Sequence, residues 1–137
     1  MIRAARDGDE PALAALWRAC GLTIPANDPD RDIAFCRAWP NAHLLLAEDQ
    51  APGGAVIASI MAGHDGHRGW LYYVAVAPGH RRRGLGRAMV EAAEQALTAQ
   101  GVWKIHLLIR ETNSAVAGFY ARLGYQPAPR IMMAKTF

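Results

Sequence analysis

Cysteine is scarce in this chain. Only Cys20 and Cys36 occur, and no CxxC spacing is present. That excludes a disulfide-stapled scaffold and predicts two reduced thiols in a cytoplasmic setting. No apolar run approaches the roughly 18 residues that a membrane-spanning helix needs, so no membrane partner is expected. The opening residues MIRAARDGDE turn acidic where a secretory leader would carry its apolar segment, so secretion is not expected. Lysine is almost missing: of 15 basic residues only Lys104 and Lys135 are lysines. Repeats, low-complexity stretches and linkers are also lacking, which leaves a single domain over residues 1–137 as the expectation.

What is present suits a globular core. The chain has 137 residues, 52% of them hydrophobic and 20% charged. A chain of this length can bury about two-thirds of its unfolded surface. The net charge of +3 is small, and the basic residues gather at 81–87. A local anionic ligand explains that clustering better than a broad nucleic-acid surface does.

The organising stretch is 72–90, YYVAVAPGHRRRGLGRAMV. Residues 71–77 are apolar and rich in β-formers, so they read as a buried strand. Pro78 and Gly79 end it. Arg81, Arg82, Arg83, Gly84, Leu85 and Gly86 follow. Leu85, Ala88, Met89, Ala92, Ala93, Ala96 and Leu97 then recur at helical spacing and predict a helix over about 83–100. The order is strand, basic glycine loop, helix. A helix start offers unpaired N–H groups and partial positive charge, glycines allow close backbone approach, and arginines add fixed charge. Together these are a place for phosphate. A Walker loop does not fit, because Arg87-Ala88 follows Gly86 where Lys-Ser/Thr is required. A dinucleotide loop does not fit either, because Met89 stands where the third glycine belongs.

The rest of the chain reads as a mixed α/β sheet protein. Residues 1–5 suggest an opening strand, and Asp7, Asp9, Glu10 and Pro11 a helix start. That helix presents Leu13, Leu16, Trp17 and Cys20 and ends at Gly21. Asn27 or Asp28 caps a second helix with Pro29 at its first position, ending near Trp39-Pro40. That helix is expected to turn Ile33, Cys36 and Arg37 towards the fold. Residues 43–48 and 55–63 form a hairpin, and 64–69 a polar loop. Residues 104–109 are a strand parallel to 70–77, since a helical crossover joins them. A short helix carries Val116, Phe119, Tyr120 and Leu123 and ends at Gly124. Residues 131–137 are expected as a final strand.

Two motifs then carry a resemblance. Arg81-x-x-Gly84-x-Gly86, after a strand ending in Val-x-Pro, resembles the acyl-CoA loop of the GNAT (GCN5-related N-acetyltransferase) family. Asn113-x-x-Ala-Val-x-x-Phe119-Tyr120-x-x-Leu123-Gly124-Tyr125 resembles that family's second motif. The two together cover 72–125, and the first 70 residues match mainly in the order of elements. The resemblance implies a strongly twisted mixed sheet of about six to seven strands with about four helices, splayed between its two central parallel strands. It implies acetyl-CoA as acyl donor, no metal, and a primary-amine acceptor, with direct transfer in a ternary complex. In that scheme the backbone of Val74, Ala75 and Val76 pairs with the pantetheine arm. The amide near Val74 polarises the acetyl carbonyl. The amides of Arg82, Arg83, Gly84, Leu85, Gly86 and Arg87 hold the pyrophosphate, and Arg81, Arg82 and Arg83 offer side chains to the remaining phosphate. Asn113 hydrogen-bonds the pantetheine, and Tyr120 protonates the departing thiolate.

Alternatives stay open at several positions. Tyr120 lies on an apolar stripe and could be a core tyrosine, and Asn113 could only cap its helix. No side chain stands out as general base. Where family members that acetylate ribosomal-protein N-termini often carry a glutamate, this chain has Leu108. Glu48, His64, Asp65, His67 and Tyr73 are the remaining candidates, beside a water chain. His64-x-x-His67 is too sparse for a metal site. A non-catalytic acyl-CoA sensor is the alternative on the same fold. A nucleic-acid-binding domain is disfavoured, because no aromatics interleave with the arginines. Monomer and homodimer are equally compatible with the sequence.

Overall fold

Local chemistry sets the helix ends. In a computed structural model that describes residues 1–51 and 53–137, helix α2 spans Pro29–Arg37. Asp28 is its N-cap, its carboxylate accepting from the Asp30 amide at 3.0 Å, and Pro29 takes the first position as expected. Helix α1, Glu10–Ala19, begins differently. Its N-cap residue Asp9 makes no capping bond. The Asp9 carboxylate instead takes the Arg3 guanidinium at 2.7 and 3.0 Å and the Arg6 amide at 2.8 Å. That pairing holds the Asp9 carboxyl down at about 2. Helix α3 runs Leu85–Ala99, starting two residues later than the stripe suggested.

The chain divides into two compact units, Met1–Leu107 and Leu108–Phe137. The first holds one sheet in the order β1 (Ile2–Ala4), β2 (Ala42–Glu48), β3 (Val56–His64), β4 (Gly69–Val76) and β5 (Ile105–Leu107). The first four strands pair antiparallel. Strands β4 and β5 are parallel, with Gly69 opposite Ile105, Trp70 opposite His106 and Leu71 opposite Leu107. Helices α1 and α2 bury Leu13, Leu16, Trp17, Ile33 and Cys36 against Leu44, Leu46 and Ala75. Trp17 has no exposed surface, and truncating a side chain of that size typically costs about 3–5 kcal/mol. Helix α3 packs against β2, β3 and β4 through Met89, Val90, Ala93 and Leu97. Gly69 lets this packing be close: a Cβ there would stand 3.0 Å from side-chain carbons of Leu97 and Val102, which would have to give way.

The second unit holds helix α4, Ser114–Arg122. Tyr120 is its buried residue, with Phe119 and Tyr125 edge-on at 4.9 and 5.9 Å between ring centroids. Two expectations need correction. Among the described residues the sheet has five strands rather than six or seven, because residues 131–137 form none. Ile131, Met132, Met133 and Phe137 are all exposed. A run of β-formers becomes a strand only beside a ladder partner, and Pro127 and Pro129 withhold N–H donors at the approach to it. The strand expected over 104–109 is limited to Ile105–Leu107, where its pairing with β4 ends.

Candidate functional site

The site is built on the second half of β4. Its ladder to β5 stops at Leu71, so among the described residues 72–76 pair with β3 alone. The register with β3 shifts between Ser59 and Met61: Ser59 faces Ala75 while Met61 faces Tyr72. Ile60 is therefore opposite both Tyr73 and Val74, which makes a β-bulge on β4. Tyr73 sits there at φ 51°, a left-handed conformation that costs a non-glycine residue about 1–2 kcal/mol.

Side chains hold that strained residue in place. The Tyr73 ring stacks on Trp17, 3.8 Å between centroids and 6° from parallel. The Ser59 hydroxyl accepts from the Trp17 indole N–H at 2.9 Å and donates to the Tyr73 carbonyl at 3.3 Å. The Tyr73 hydroxyl donates to the Asp32 carboxylate at 2.6 Å. Burial, with the Asp32 bond behind it, drives the Tyr73 hydroxyl well above the usual phenol range. The group thus keeps its proton, which is the reverse of what a general base needs. None of Trp17, Ser59 and Asp32 was singled out from the sequence for the site. A lone serine inside the apolar run AVIASIMAG was the available signal for Ser59.

After β4 the chain turns through one 3₁₀ turn, Pro78–His80, into the basic loop. Arg82 and Gly84 both take left-handed backbone, φ 63° and 77°. Gly84 is the N-cap of α3 without a side-chain capping bond. The first intrahelical bond runs from the Ala88 amide to the Gly84 carbonyl at 3.0 Å. The amides of Leu85, Gly86 and Arg87 thus form the open first turn, where an anion is favoured. Arg81, Arg82, Arg83 and Arg87 are exposed around it. Two are partly engaged: Arg81 Nε donates to the Val76 carbonyl at 3.2 Å, and Arg87 pairs with Glu91 at 2.7 Å. The Val76 carbonyl also accepts from the Cys20 thiol at 3.3 Å, so this point of the strand edge is already occupied.

Asn113 and Tyr120 lie in the second unit. Asn113 is the N-cap residue of α4, yet its side chain makes no capping bond, so capping does not account for it. Burial pushes the Tyr120 hydroxyl up to about 12. Among the base candidates, Glu48 is tied to Arg3 and held below the usual carboxylate range by that bond. Asp65 accepts the Arg68 and His67 amides at 2.8 and 2.9 Å, which lowers it too. His64 Nδ1 accepts from the Gly66 amide at 3.1 Å inside the same loop.

A cavity of about 300 Å³ opens beside the bulge, lined by Asp32, Phe35, Trp39, Met61, Tyr72 and Tyr73 among others. Among the described residues no group of three or more His, Cys, Asp and Glu side chains could hold a metal ion. Among the described residues no helix is long and apolar enough to cross a membrane.

Comparison with known proteins places these features in company. Residues 10–125 match the acetyltransferase (GNAT) family. The chain is 40% identical to an acetyltransferase of Pectobacterium atrosepticum over 98% of this chain and 93% of that one. It is 38% identical to an acetyltransferase of Yersinia enterocolitica over the same shares. Among solved structures, AAC(6')-Iy bound to the bisubstrate analogue CoA-S-monomethyl-acetylneamine superposes with a TM-score of 0.83 at 16% identity, covering 100% of this chain and 97% of that one. The ribosomal-protein-S18-alanine N-acetyltransferase of Escherichia coli superposes at 0.79 with 22% identity, covering 94% and 79%. At these identities the likeness is one of fold.

Proposed function

We propose, from the premise that this chain belongs to the acetyltransferase (GNAT) family, that it moves an acetyl group from acetyl-CoA to a primary amine by direct transfer in a ternary complex. The observation that carries this reading is the sequence of backbone features along one stretch. The β4–β5 ladder ends at Leu71, just before the bulge at Tyr73, and the loop with left-handed Arg82 and Gly84 delivers an uncapped helix start twelve residues after that bulge. The β4 edge at Val74, Ala75 and Val76 takes the pantetheine as an added strand, the Val76 carbonyl being shared with or released by Arg81 and Cys20. The amides of residues 82–87 take the pyrophosphate, with Arg81, Arg82 and Arg83 on the further phosphate. Asn113, with its side chain spare of capping, bonds the pantetheine.

The chemistry is a simple exchange. The neutral amine attacks the acetyl carbon, a C–N bond forms and the C–S bond breaks. The Val74 amide stabilises the oxyanion between these events. Tyr120 gives its proton to the CoA thiolate and regains one from solvent, while the amine's proton leaves to solvent. A hydroxyl held at about 12 by burial stays protonated at neutral pH, as this role requires. The first test is calorimetric: millimolar acetyl-CoA raises Tm, because a ligand of the native state stabilises it. The absence of any shift overturns the reading.

The engagement of Glu48 with Arg3, and of Asp65 within its own loop, favours one second reading, a non-catalytic acyl-CoA sensor. It predicts the same Tm shift but no CoA release with any amine.

A further inference from the structure

We infer that the cavity beside the β4 bulge selects acceptors whose amine sits on an apolar, aromatic-sized body, with Asp32 as the anchor for the ammonium group. The inference rests on the acetyltransferase reading and adds the substrate class. The cavity lies wholly in the first unit, between α2 and the hairpin of β3 and β4.

Three observations converge. The first is an exception to strand alternation. Successive residues of a strand point to opposite faces, yet Tyr72 and Tyr73 both line this cavity. The bulge, with Tyr73 at φ 51°, is what turns both rings to one side. The second is exposure of aromatic surface in one place. Phe35 is 80% exposed, Trp39 58% and Tyr72 47%, and all three line the cavity. Large rings left open around a concave site are characteristic of ligand walls, and ring faces also attract cations. The third is charge. Asp32 is the one acidic residue among the described lining residues, and no Lys or Arg lines the cavity.

Asp32 is also fixed in position. It accepts the Tyr73 hydroxyl at 2.6 Å through Oδ2, while a carboxylate has further lone pairs on both oxygens for a second donor. An alkylammonium group is such a donor, and bonding to it satisfies the charge inside an otherwise apolar wall until the group gives up a proton to solvent and attacks as the neutral amine. A volume of about 300 Å³ stands at the small end of the range of roughly 300–1,000 Å³ for ligand sites. A benzyl- or phenethyl-sized body fits that space. A hydroxyl-rich polyamine sugar or a linear polyamine does not suit it, since one carboxylate leaves their other polar and charged groups unpaired against rings.

The test uses the whole protein and three probes: 2-phenylethylamine, spermidine and kanamycin. Without acetyl-CoA, 2-phenylethylamine is titrated into the ¹⁵N-labelled protein, and the Trp39 indole N–H is followed. The indole signal moves saturably with 2-phenylethylamine and at least tenfold more weakly with the other two. With acetyl-CoA, CoA release shows kcat/KM at least tenfold higher for 2-phenylethylamine. Asp32→Asn keeps an oxygen for the Tyr73 hydroxyl but removes the charge, so it raises KM about tenfold while the acetyl-CoA-induced rise in Tm stays as in the parent. Trp39→Ala, at an exposed position, raises KM severalfold with the fold intact. Binding of 2-phenylethylamine in a protein that fails to bind acetyl-CoA leaves this inference standing and removes the family mechanism instead. It is overturned by no Trp39 response in a protein that binds acetyl-CoA, by equal KM in Asp32→Asn, or by preference for kanamycin or spermidine. A concentration-dependent dimer that buries Trp39 without amine also overturns it.

Discussion

Replacing Ser59 by alanine removes a single oxygen and isolates the device that holds the bulge. Ser59 has no exposed surface, and its hydroxyl serves two partners, the Trp17 indole N–H at 2.9 Å and the Tyr73 carbonyl at 3.3 Å. Alanine fills nearly the same space, so packing changes little and the loss is polar. Each buried group left without a partner costs about 1–3 kcal/mol, with the longer contact at the lower end. The expected destabilisation is therefore about 2–4 kcal/mol. For a chain between the size classes usually compared, about 3–4 °C accompanies each kcal/mol, which gives a fall in Tm of about 6–16 °C. Urea unfolding followed by tryptophan fluorescence reads the free energy directly, and an unchanged m-value shows that the folded state is otherwise the same. The variant also loses part of the acetyl-CoA-induced rise in Tm, because Tyr73 relaxes from φ 51° and the Val74 amide turns with it. A destabilisation below about 0.5 kcal/mol, the usual range of surface substitutions, would refute the claim that this hydroxyl braces the strand.

Three further outcomes follow from other groups. Tyr120→Phe lowers turnover by about 10²–10⁴ and leaves acetyl-CoA affinity within about twofold; unaltered turnover removes the hydroxyl from the chemistry. Asp9 is held at about 2 by Arg3, below its ordinary 3.8, so the pair stabilises the fold above pH 4 and its contribution fades as pH falls from about 4 to 2. Discounted for solvent, that is about 1–2 kcal/mol at neutral pH, and the difference between the parent and Asp9→Asn in urea should shrink over that window; equal stability at pH 7 contradicts it. Burial pushes the Cys36 thiol up to about 11, so iodoacetamide at pH 8 alkylates the less buried Cys20 first, and mass spectrometry showing Cys36 modified ahead of it would contradict the assignment.

Much of the frame was readable because it depends on neighbours in sequence. The Asp28 cap, Pro29 at the head of α2, and the strand-loop-helix order around Arg81 and Gly84 all follow from local chemistry, and all appear. Long-range pairing was not readable. The bulge depends on which residue of β3 faces which residue of β4, and no periodicity within either strand reports that register. Asp32 looks like any polar residue of a short helix until Tyr73 is brought to it from 41 positions away. Residues 131–137 show the opposite error: their composition suits a strand, but composition supplies no neighbour. The stripe on α3 was right in period and wrong in centre. Val90 is buried with Met89, Ala93 and Leu97, while Ala88, Ala92 and Ala96 are half-buried.

Helix α2 buries Pro29, Ile33 and Cys36 and is tied down further by Asp32 and Arg37, while its outward Phe35, like Trp39 just past its end, contributes little to the interior. Rim and foundation are thereby separate sets of residues. Exchanging the rim can retune what enters the cavity without loosening the scaffold beneath. Descendants of one ancestral chain could thus diverge in diet while keeping a common skeleton, and a library randomised at positions 35 and 39 should yield mostly folded members.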